Sequence, residues 1–356
     1  MKVLVFCILL CSVFSMKAQN YQCFSPGQLW KDNNGVHINA HGGGMLIYKK
    51  TYYWFGEHKI EGKTGNTAQV GVHCYSSKDL YNWTDEGIAL QVDDDINSDI
   101  QKGCILERPK VIYNSKTKKF VMWFHLELKG NGYRSARAGI AIANKVTGPY
   151  RFIRSTRATP GCFPVNVDNN EIGGKHIYVR DLNNGQMVRD QQLFVDDDGV
   201  AYHIFASEDN RTLHIAELTD DYLDYTGKYV RVFEERYMEA PALFKKDGLY
   251  YFMGSGCTGW APNAARSAVA PSIWGPWTEL GNPCVGENSE KTFYSQSTYI
   301  LPVQGKKNAF IYMGDRWKPN NPIDGRYIWL PIQFEENKFK IKWMDQWDLN
   351  FFSSEY

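Results

Sequence analysis

The feature that most constrains this chain is a strand–turn–strand unit that recurs five times, with almost no helical periodicity between copies. Each copy opens on a polar residue, runs through a short apolar strand, turns, and returns through a strand rich in Tyr, Trp and Phe. The copies are AHGGGMLIYKKTYYWFGE from Ala40, ERPKVIYNSKTKKFVMWFHLE from Glu107, RDQQLFVDDDGVAYHIFASED from Arg189, EAPALFKKDGLYYFMGSG from Glu239 and SQSTYILPVQGKKNAFIYMGD from Ser295. Their turns (Lys-Lys, Asn-Ser-Lys, Asp-Asp-Gly, Lys-Asp-Gly and Gln-Gly-Lys-Lys) carry hairpin chemistry. Further strand candidates follow most copies, as in GVHCYSSKDLYNWTDEG and ARSAVAPSIWGPWTEL. Repeated units of about four strands each are propeller blades. The predicted fold is therefore all-β, a five-bladed β-propeller, with residues 19–356 as one domain because no Pro-, Ser- or Thr-rich linker interrupts the series. The last stretch, ENKFKIKWMDQWDLN, is expected to complete the fifth blade or to close the ring.

Residues 1–18 read as a secretory signal: Lys2, an apolar run from Val3 to about Phe14, then Ser15 to Ala18. The run is too short to span a bilayer, and no later stretch is apolar for long enough. A secreted or periplasmic monomer is expected. The formal charge is +1 and becomes −1 without Lys2 and Lys17, so nothing points to nucleic acid or an anionic surface. Aromatic residues make up 15% of the chain, which suits a β core or stacking against sugar rings. Beyond the signal stand Cys23, Cys74, Cys104, Cys162, Cys257 and Cys284. Export permits disulfides, but spacing does not choose among their pairings, and the absence of CxxC argues against a zinc knot.

In a propeller the innermost strand of every blade lines the central channel, and the starts of these strands share one face. The leading polar residues His41, Glu107, Asp190, Glu239 and Gln296 are therefore expected to converge on a funnel. Crowding carboxyl groups raises at least one pKa, which suits a proton donor near neutrality. Two carboxyl groups across a sugar-sized gap are the minimal apparatus for glycoside hydrolysis. The plainer alternative is that these residues hydrate the channel of a propeller that only binds sugar.

The stretches PGQLWKDNNGVHINAHGGGML, YYWFGEHK, ERPKVIYN, RDQQLFVDDDGVAYHIFASEDN, MEAPALFKKDGLYYFMGSGCTGW and YSQSTYIL together resemble glycoside hydrolase family 43, and within it the exo-β-1,3-galactanase branch. The resemblance runs from about Ser25 to Met344. It implies a five-bladed propeller that releases galactose from the non-reducing end of β-1,3-galactan, the backbone of arabinogalactan, with inversion. An α-arabinofuranosidase, β-xylosidase or galactofuranosidase of the same family is the alternative. The resemblance further implies that Glu239 is the general acid and that Glu107 orients it and tunes its pKa. The usual base, an aspartate opening the first blade, is replaced by Ala40-His41-Gly42. Gln296 in YSQST matches the glutamine given that task in the galactanase branch. Glu57 and Asp190 are the local carboxylates that stand as alternatives.

The remaining matched positions are expected to hold sugar. Asp190 would bind hydroxyls of the terminal ring. Tyr133, Asp209, Asn210 and Thr258 sit on motif loops, Trp260 offers a stacking face, and Glu57 reaches a hydroxyl or pairs with His58 or Lys59. His41 is either a channel-facing ligand or a plug. Each tryptophan is also a candidate for blade packing, and there are 11. No cofactor is expected. Some family members hold a calcium ion in the channel, but Asp93–Asp95 and Asp196–Asp198 lack the alternating oxygen spacing of a calcium loop and read as solvated turns. No metal that takes part in the chemistry is expected.

Overall fold

The computed structural model describes residues 20–67, 69–168 and 177–353. The signal read from residues 1–18 lies outside them. The first blade is β1 (His41–Tyr48), β2 (Thr51–Lys59), β3 (Gln69–Ser77) and β4 (Thr84–Gln91). The second is β5 (Ile105–Asn114), β6 (Lys119–Glu127), β7 (Arg137–Ala143) and β8 (Arg151–Thr156). The third is β9 (Gln191–Val195), β10 (Ala201–Ser207), β11 (Thr212–Leu218) and β12 (Tyr225–Val232). The fourth is β13 (Met238–Lys246), β14 (Leu249–Gly256), β15 (Arg266–Ala270) and β16 (Thr278–Gly281). The fifth adds a short strand β17 (Cys284–Val285), parallel to the outer strand, to β18 (Gln296–Pro302), β19 (Phe310–Arg316), β20 (Arg326–Glu335) and β21 (Lys338–Lys342). Apart from β17, each sheet is an antiparallel meander from inside outward. The inner strands touch in the order β1, β5, β9, β13, β18 and back to β1, which makes the five blades a β-propeller.

The local chemistry matches each element. At the first hairpin Lys49 and Lys50 both take positive φ (49° and 63°), and at the fourth Asp247 and Gly248 do so (49° and 81°). Two successive left-handed residues are what a two-residue hairpin needs to follow the strand twist. Five apolar clusters fill the five blade interfaces, one to each. The largest aromatic assembly lies between the fifth blade and the first, where Trp30, Trp54, Trp83, Trp329 and Trp347 crowd together with Phe24. There the ring closes: Phe24 and Trp347 exchange backbone hydrogen bonds of 2.8 and 3.2 Å. The last stretch thus does both things expected of it, supplying β21 and then the closing bridge. Among the described residues the six cysteines are free thiols, with Cys74, Cys104 and Cys284 buried.

The acidic triplets are turns. Asp93 and Asp95 accept hydrogen bonds from backbone N–H groups two residues on, and Asp196 and Asp197 pair with Lys245 at 2.5 and 2.8 Å.

Candidate active site

A repeated backbone device aims the inner strands at the channel mouth. The ladder between first and second strands slips immediately after His41, Glu107, Glu239 and Ser297. In three blades the next residue sits at positive φ: Gly42 (58°), Arg108 (56°) and Ala240 (56°). A β-bulge inserts one unpaired residue and re-aims the side chains beside it. Glu107 and Glu239 therefore leave the blade and point into the mouth, where the lost ladder bonds are replaced by contacts between blades. Gly42 has no room for anything larger, since a Cβ there collides with the Glu57 carboxylate.

The mouth holds a cavity of about 290 Å³ lined by residues of all five blades. Glu239, Glu107, Gln296, Asp190, Tyr133, Asn210, Trp260 and Glu57, all expected from the sequence, meet there. Three other candidates do not line it. His41 is buried behind it, stacked on Tyr327, and its ring nitrogens find no hydrogen-bond partner among the described residues. Burial, then the charge of Lys59, pushes its pKa down to about 3, so it is a neutral plug. Asp209 turns outward to Arg180 (3.2 Å) and Arg189 (3.7 Å). Thr258 spends its hydroxyl on its own loop, donating to the Ala261 carbonyl (2.6 Å) and accepting from Asn263 (2.7 Å).

Glu239 and Glu107 live in opposite environments. Glu239 is largely removed from water and faces Asp190, and these two effects push its pKa up to about 7, with Arg108 opposing. Its Oε1 accepts from the Asn210 amide at 2.7 Å. Asn210 is delivered by a tight turn, φ 54°, 56° and 67° at Glu208, Asp209 and Asn210. That turn is anchored from below, where buried Glu208 takes Arg231 in two bonds (2.6 and 2.9 Å) and His214 in a third (2.8 Å).

Glu107 is held as an anion. Burial alone would raise its pKa, but hydrogen bonding to His125 and the charge of that ring outweigh burial and bring it to about 2. Strand register dictates the pairing: Glu107 on β5 lies opposite His125 on β6, and Glu127, two residues on, shares the face of His125. His125 donates Nδ1–H to Glu107 (2.9 Å) and Nε2–H to Glu127 (3.0 Å). Burial disfavours its charge, yet the two carboxylates win and lift it to about 9. The hydroxyl of Tyr133 donates to the other oxygen of Glu107 at 2.8 Å.

Gln296 is fixed by three neighbours. Its Oε1 accepts from Arg108 Nη2 (2.6 Å) and Trp317 Nε1 (3.0 Å), and its Nε2 donates to Ser255 Oγ (2.9 Å). Guanidinium and indole N–H groups only donate, which decides which end of the amide faces them. Arg108 is the hub of the mouth: it also meets Asp190 (2.9 Å) and the Ser297 carbonyl (2.7 Å), tying the second blade to the third and fifth. Asp190 takes the backbone N–H of Ala240 at 3.0 Å, beside Glu239. Glu57 is buried against Lys59 (2.7 Å) and takes the N–H of Arg108 (2.9 Å); burial raises its pKa against the pull of Lys59.

Sequence reasoning did not single out Arg108, His125, Asn66, Arg189 or Trp317, which also line the cavity. Arg108 and His125 lay inside quoted motifs, ERPK and FHLE. The available signal was position: His125 is the register partner of Glu107, and Trp317 directly follows β19 while Trp260 stands four residues beyond the end of β14.

A metal ion does not fit this site. Glu107, His125 and Asp190 each present one atom within 4.8 Å of one another, but both His125 nitrogens are donors to carboxylates and offer no lone pair. Below the cavity the channel carries the buried Arg108 guanidinium and the amine of Lys110, whose pKa burial and then the Arg108 charge bring down to about 7. Lys110 Nζ donates to the carbonyls of Gly42, Arg108 and Pro109 at 2.9, 3.3 and 3.4 Å, beside the Arg108 guanidinium.

A carboxyl poised to give a proton, a second held ionised and a pinned amide around a one-sugar cavity are a glycosidase's parts. Comparison with known proteins decides the family, since residues 44–335 match glycosyl hydrolases family 43. The chain belongs to glycoside hydrolase family 43. Its structure is similar to that of a family 43 β-1,3-galactosidase solved with galactodeoxynojirimycin, with 52% identity, TM-score 0.88, and coverage of 92% of this chain and 100% of that one. It is also similar to an exo-β-1,3-galactanase of Clostridium thermocellum, with 36% identity, TM-score 0.78, and coverage of 91% of this chain and 66% of that one. A β-D-galactofuranosidase of Aspergillus niger is 32% identical over 124 residues, which span 32% of this chain and 36% of that enzyme. This family 43 chain is a glycoside hydrolase with the structural neighbours of a β-1,3-galactosidase.

Proposed function

We propose that this family 43 hydrolase removes single galactose units from the non-reducing end of β-1,3-galactan, with inversion, and that arabinogalactan is the polymer it meets. The observation that carries this reading is the contrast between Glu239 and Glu107 in one cavity: the first has its pKa raised to about 7 and the second is held near 2. Glu239 gives its proton to the departing oxygen. Glu107 stays ionised and, with Asp190, keeps negative charge beside Glu239 so that it retains its proton near neutrality. Gln296 holds the attacking water through the N–H it has left over. It works as an amide, because an imidic-acid O–H would be directed at two groups that only donate. The transition state is oxocarbenium-like, so the placed water bonds to the anomeric carbon as the bond to the leaving oxygen breaks and Glu239 protonates that oxygen. The proton shed by the water passes to solvent, from which Glu239 is reprotonated. The cavity is small and bounded by the ends of the five blades, which suits one terminal ring.

The test is to incubate the enzyme with β-1,3-galactobiose and follow the first-formed anomer by NMR. Release of α-galactose is expected; β-galactose, or no release, overturns the proposal. The galactofuranosidase similarity gives the competing substrate, and a nitrophenyl glycoside panel separates the two. Export as a monomer belongs to the same proposal, and rests on the leader read from residues 1–18. N-terminal sequencing of the mature protein and its sedimentation mass check both. Among the described residues no helix is long and apolar enough to cross a membrane.

A further inference from the structure

The buried charges beneath the catalytic cavity meet at two peptide groups, those of Gly42 and Arg108. These are the left-handed bulge residues of the first and second blades, and the slip leaves both outside the strand ladder. Buried carboxylates take their N–H groups: Asp315 takes that of Gly42 (2.5 Å) and Glu57 that of Arg108 (2.9 Å). One amine takes their carbonyls. Lys110 Nζ donates to Gly42 (2.9 Å), Arg108 (3.3 Å) and Pro109 (3.4 Å), and among the described residues it forms no ion pair. Lys110 rejoins the ladder just after the bulge, opposite Trp123, and its side chain crosses to the first blade. Gly44 makes that path, since a Cβ there would collide with the Lys110 stem.

An ammonium has three N–H donors and no acceptor, which matches three carbonyls. A neutral amine has two donors and a lone pair, so one carbonyl would face that lone pair. Holding the charged form is nevertheless costly here. Burial, then the charge of Arg108 on β5, brings the Lys110 pKa down to about 7, against the pull of Glu57 on β2, Asp190 before β9 and Asp315 on β19. The other elements packed against it add no charge. β1 brings neutral His41, and β18 brings Tyr299, which burial keeps protonated by raising it to about 12. Asp197 and Lys245 border the cavity on the side away from the site, where they pair with each other.

What Lys110 holds is the Arg108 backbone, and what Arg108 holds is Gln296, through Nη2 at 2.6 Å. We propose that Lys110 is a positioning residue for hydrolysis: its ammonium fixes the Arg108 bulge, Arg108 fixes the Gln296 amide, and turnover requires Lys110 in its charged form. This rests on Gln296 placing the attacking water. Rising pH then removes two needed protons in one range, from Glu239 and from Lys110. Asp315, raised to about 7 by burial, ionises there as well, but its charge strengthens the bond from Gly42 and so acts with the opposite sign.

The test is the slope of log kcat/KM against pH between about 7.5 and 8.5, below the pKa of about 9 at which His125 loses its charge. Two required protons give a descending slope approaching about two, and one gives about one. The wild type is expected near two and Lys110→Met near one. Below pH 6.5 the variant should show kcat about ten- to a hundredfold lower, as expected for a misplaced reactant, with KM changed less than about threefold. Lys110→Gln keeps N–H donors without a titrating charge; it too should give a slope near one, and it serves if Lys110→Met does not fold. A wild-type slope near one, or a slope near two that the variants keep, overturns the role. The readout is a difference between wild type and variant, so it holds whether or not Glu239 is the acid. Failure of β-1,3-galactobiose cleavage would overturn the galactanase reading alone, and the slopes would be read on the glycoside that the nitrophenyl panel selects. No turnover of any glycoside would overturn both.

Discussion

At the scale of residues, the site works by driving two glutamates apart in pKa. Glu239→Gln removes the proton donor, and kcat on β-1,3-galactobiose is expected to fall about a hundred- to ten-thousand-fold. In the wild type the pH profile of kcat/KM should fall on its alkaline side near pH 7, as Glu239 loses its proton. A wild-type profile flat through pH 8 would remove Glu239 from the acid's role. His125→Gln leaves Glu107 and Glu127 without their shared cation. Breaking such a buried ion cluster costs about 3–5 kcal/mol, measured by denaturant unfolding. The sign follows from the two shifts. The Glu107 contribution is complete above 4.5 and lost as pH falls toward about 2; the His125 contribution is complete below 6.5 and lost as pH rises through about 9. The stability gap between wild type and variant should therefore be widest between pH 4.5 and 6.5 and shrink by pH 10. The glutamates themselves were legible because a carboxylate opening a core strand is anomalous. His125 was not, because a histidine mid-strand has no meaning until register sets it opposite Glu107.

At the scale of elements, the bulges after Glu107 and Glu239 turn two strand ends into platforms for catalytic groups. The cost is local strain at Arg108 and Ala240, non-glycine residues at positive φ, about 1–3 kcal/mol each. Gly42 meets the same demand in the first blade, and Gly42→Ala adds both strain and a collision with Glu57. That substitution should cost about 2–4 kcal/mol of stability. It should also lower kcat through displacement of the Arg108 backbone held by Glu57. A variant that keeps wild-type stability and activity would show that the bulge is not tight. Alternation and turn residues announced the hairpins, since those signals sit within a few neighbouring residues. Bulges did not announce themselves, because a register slip depends on the partner strand.

At the scale of the whole molecule, five sheets must close into a ring before the channel mouth exists. Closure falls to Phe24 and Trp347, stacked at 4.4 Å, with the Trp347 indole N–H on the Trp329 carbonyl at 2.8 Å. Trp347→Ala removes the stack and that bond from a buried position. A loss of about 3–5 kcal/mol is expected, seen as a lowered thermal midpoint. Activity should be lost in parallel with folding, since no catalytic group lies near Trp347. Selective loss of activity in a fully stable variant would place the closure differently.

By itself the sequence determined the repeat, the strand alternation, the turns and the polar residues opening each inner strand, because these depend on chemistry between neighbours along the chain. Only the tertiary structure decided which polar residues share the cavity, that Arg108 and His125 govern it, and that His41, Asp209 and Thr258 stand outside. Those outcomes arise from contacts between blades, and a charge changes its pKa according to neighbours that the order of residues does not name.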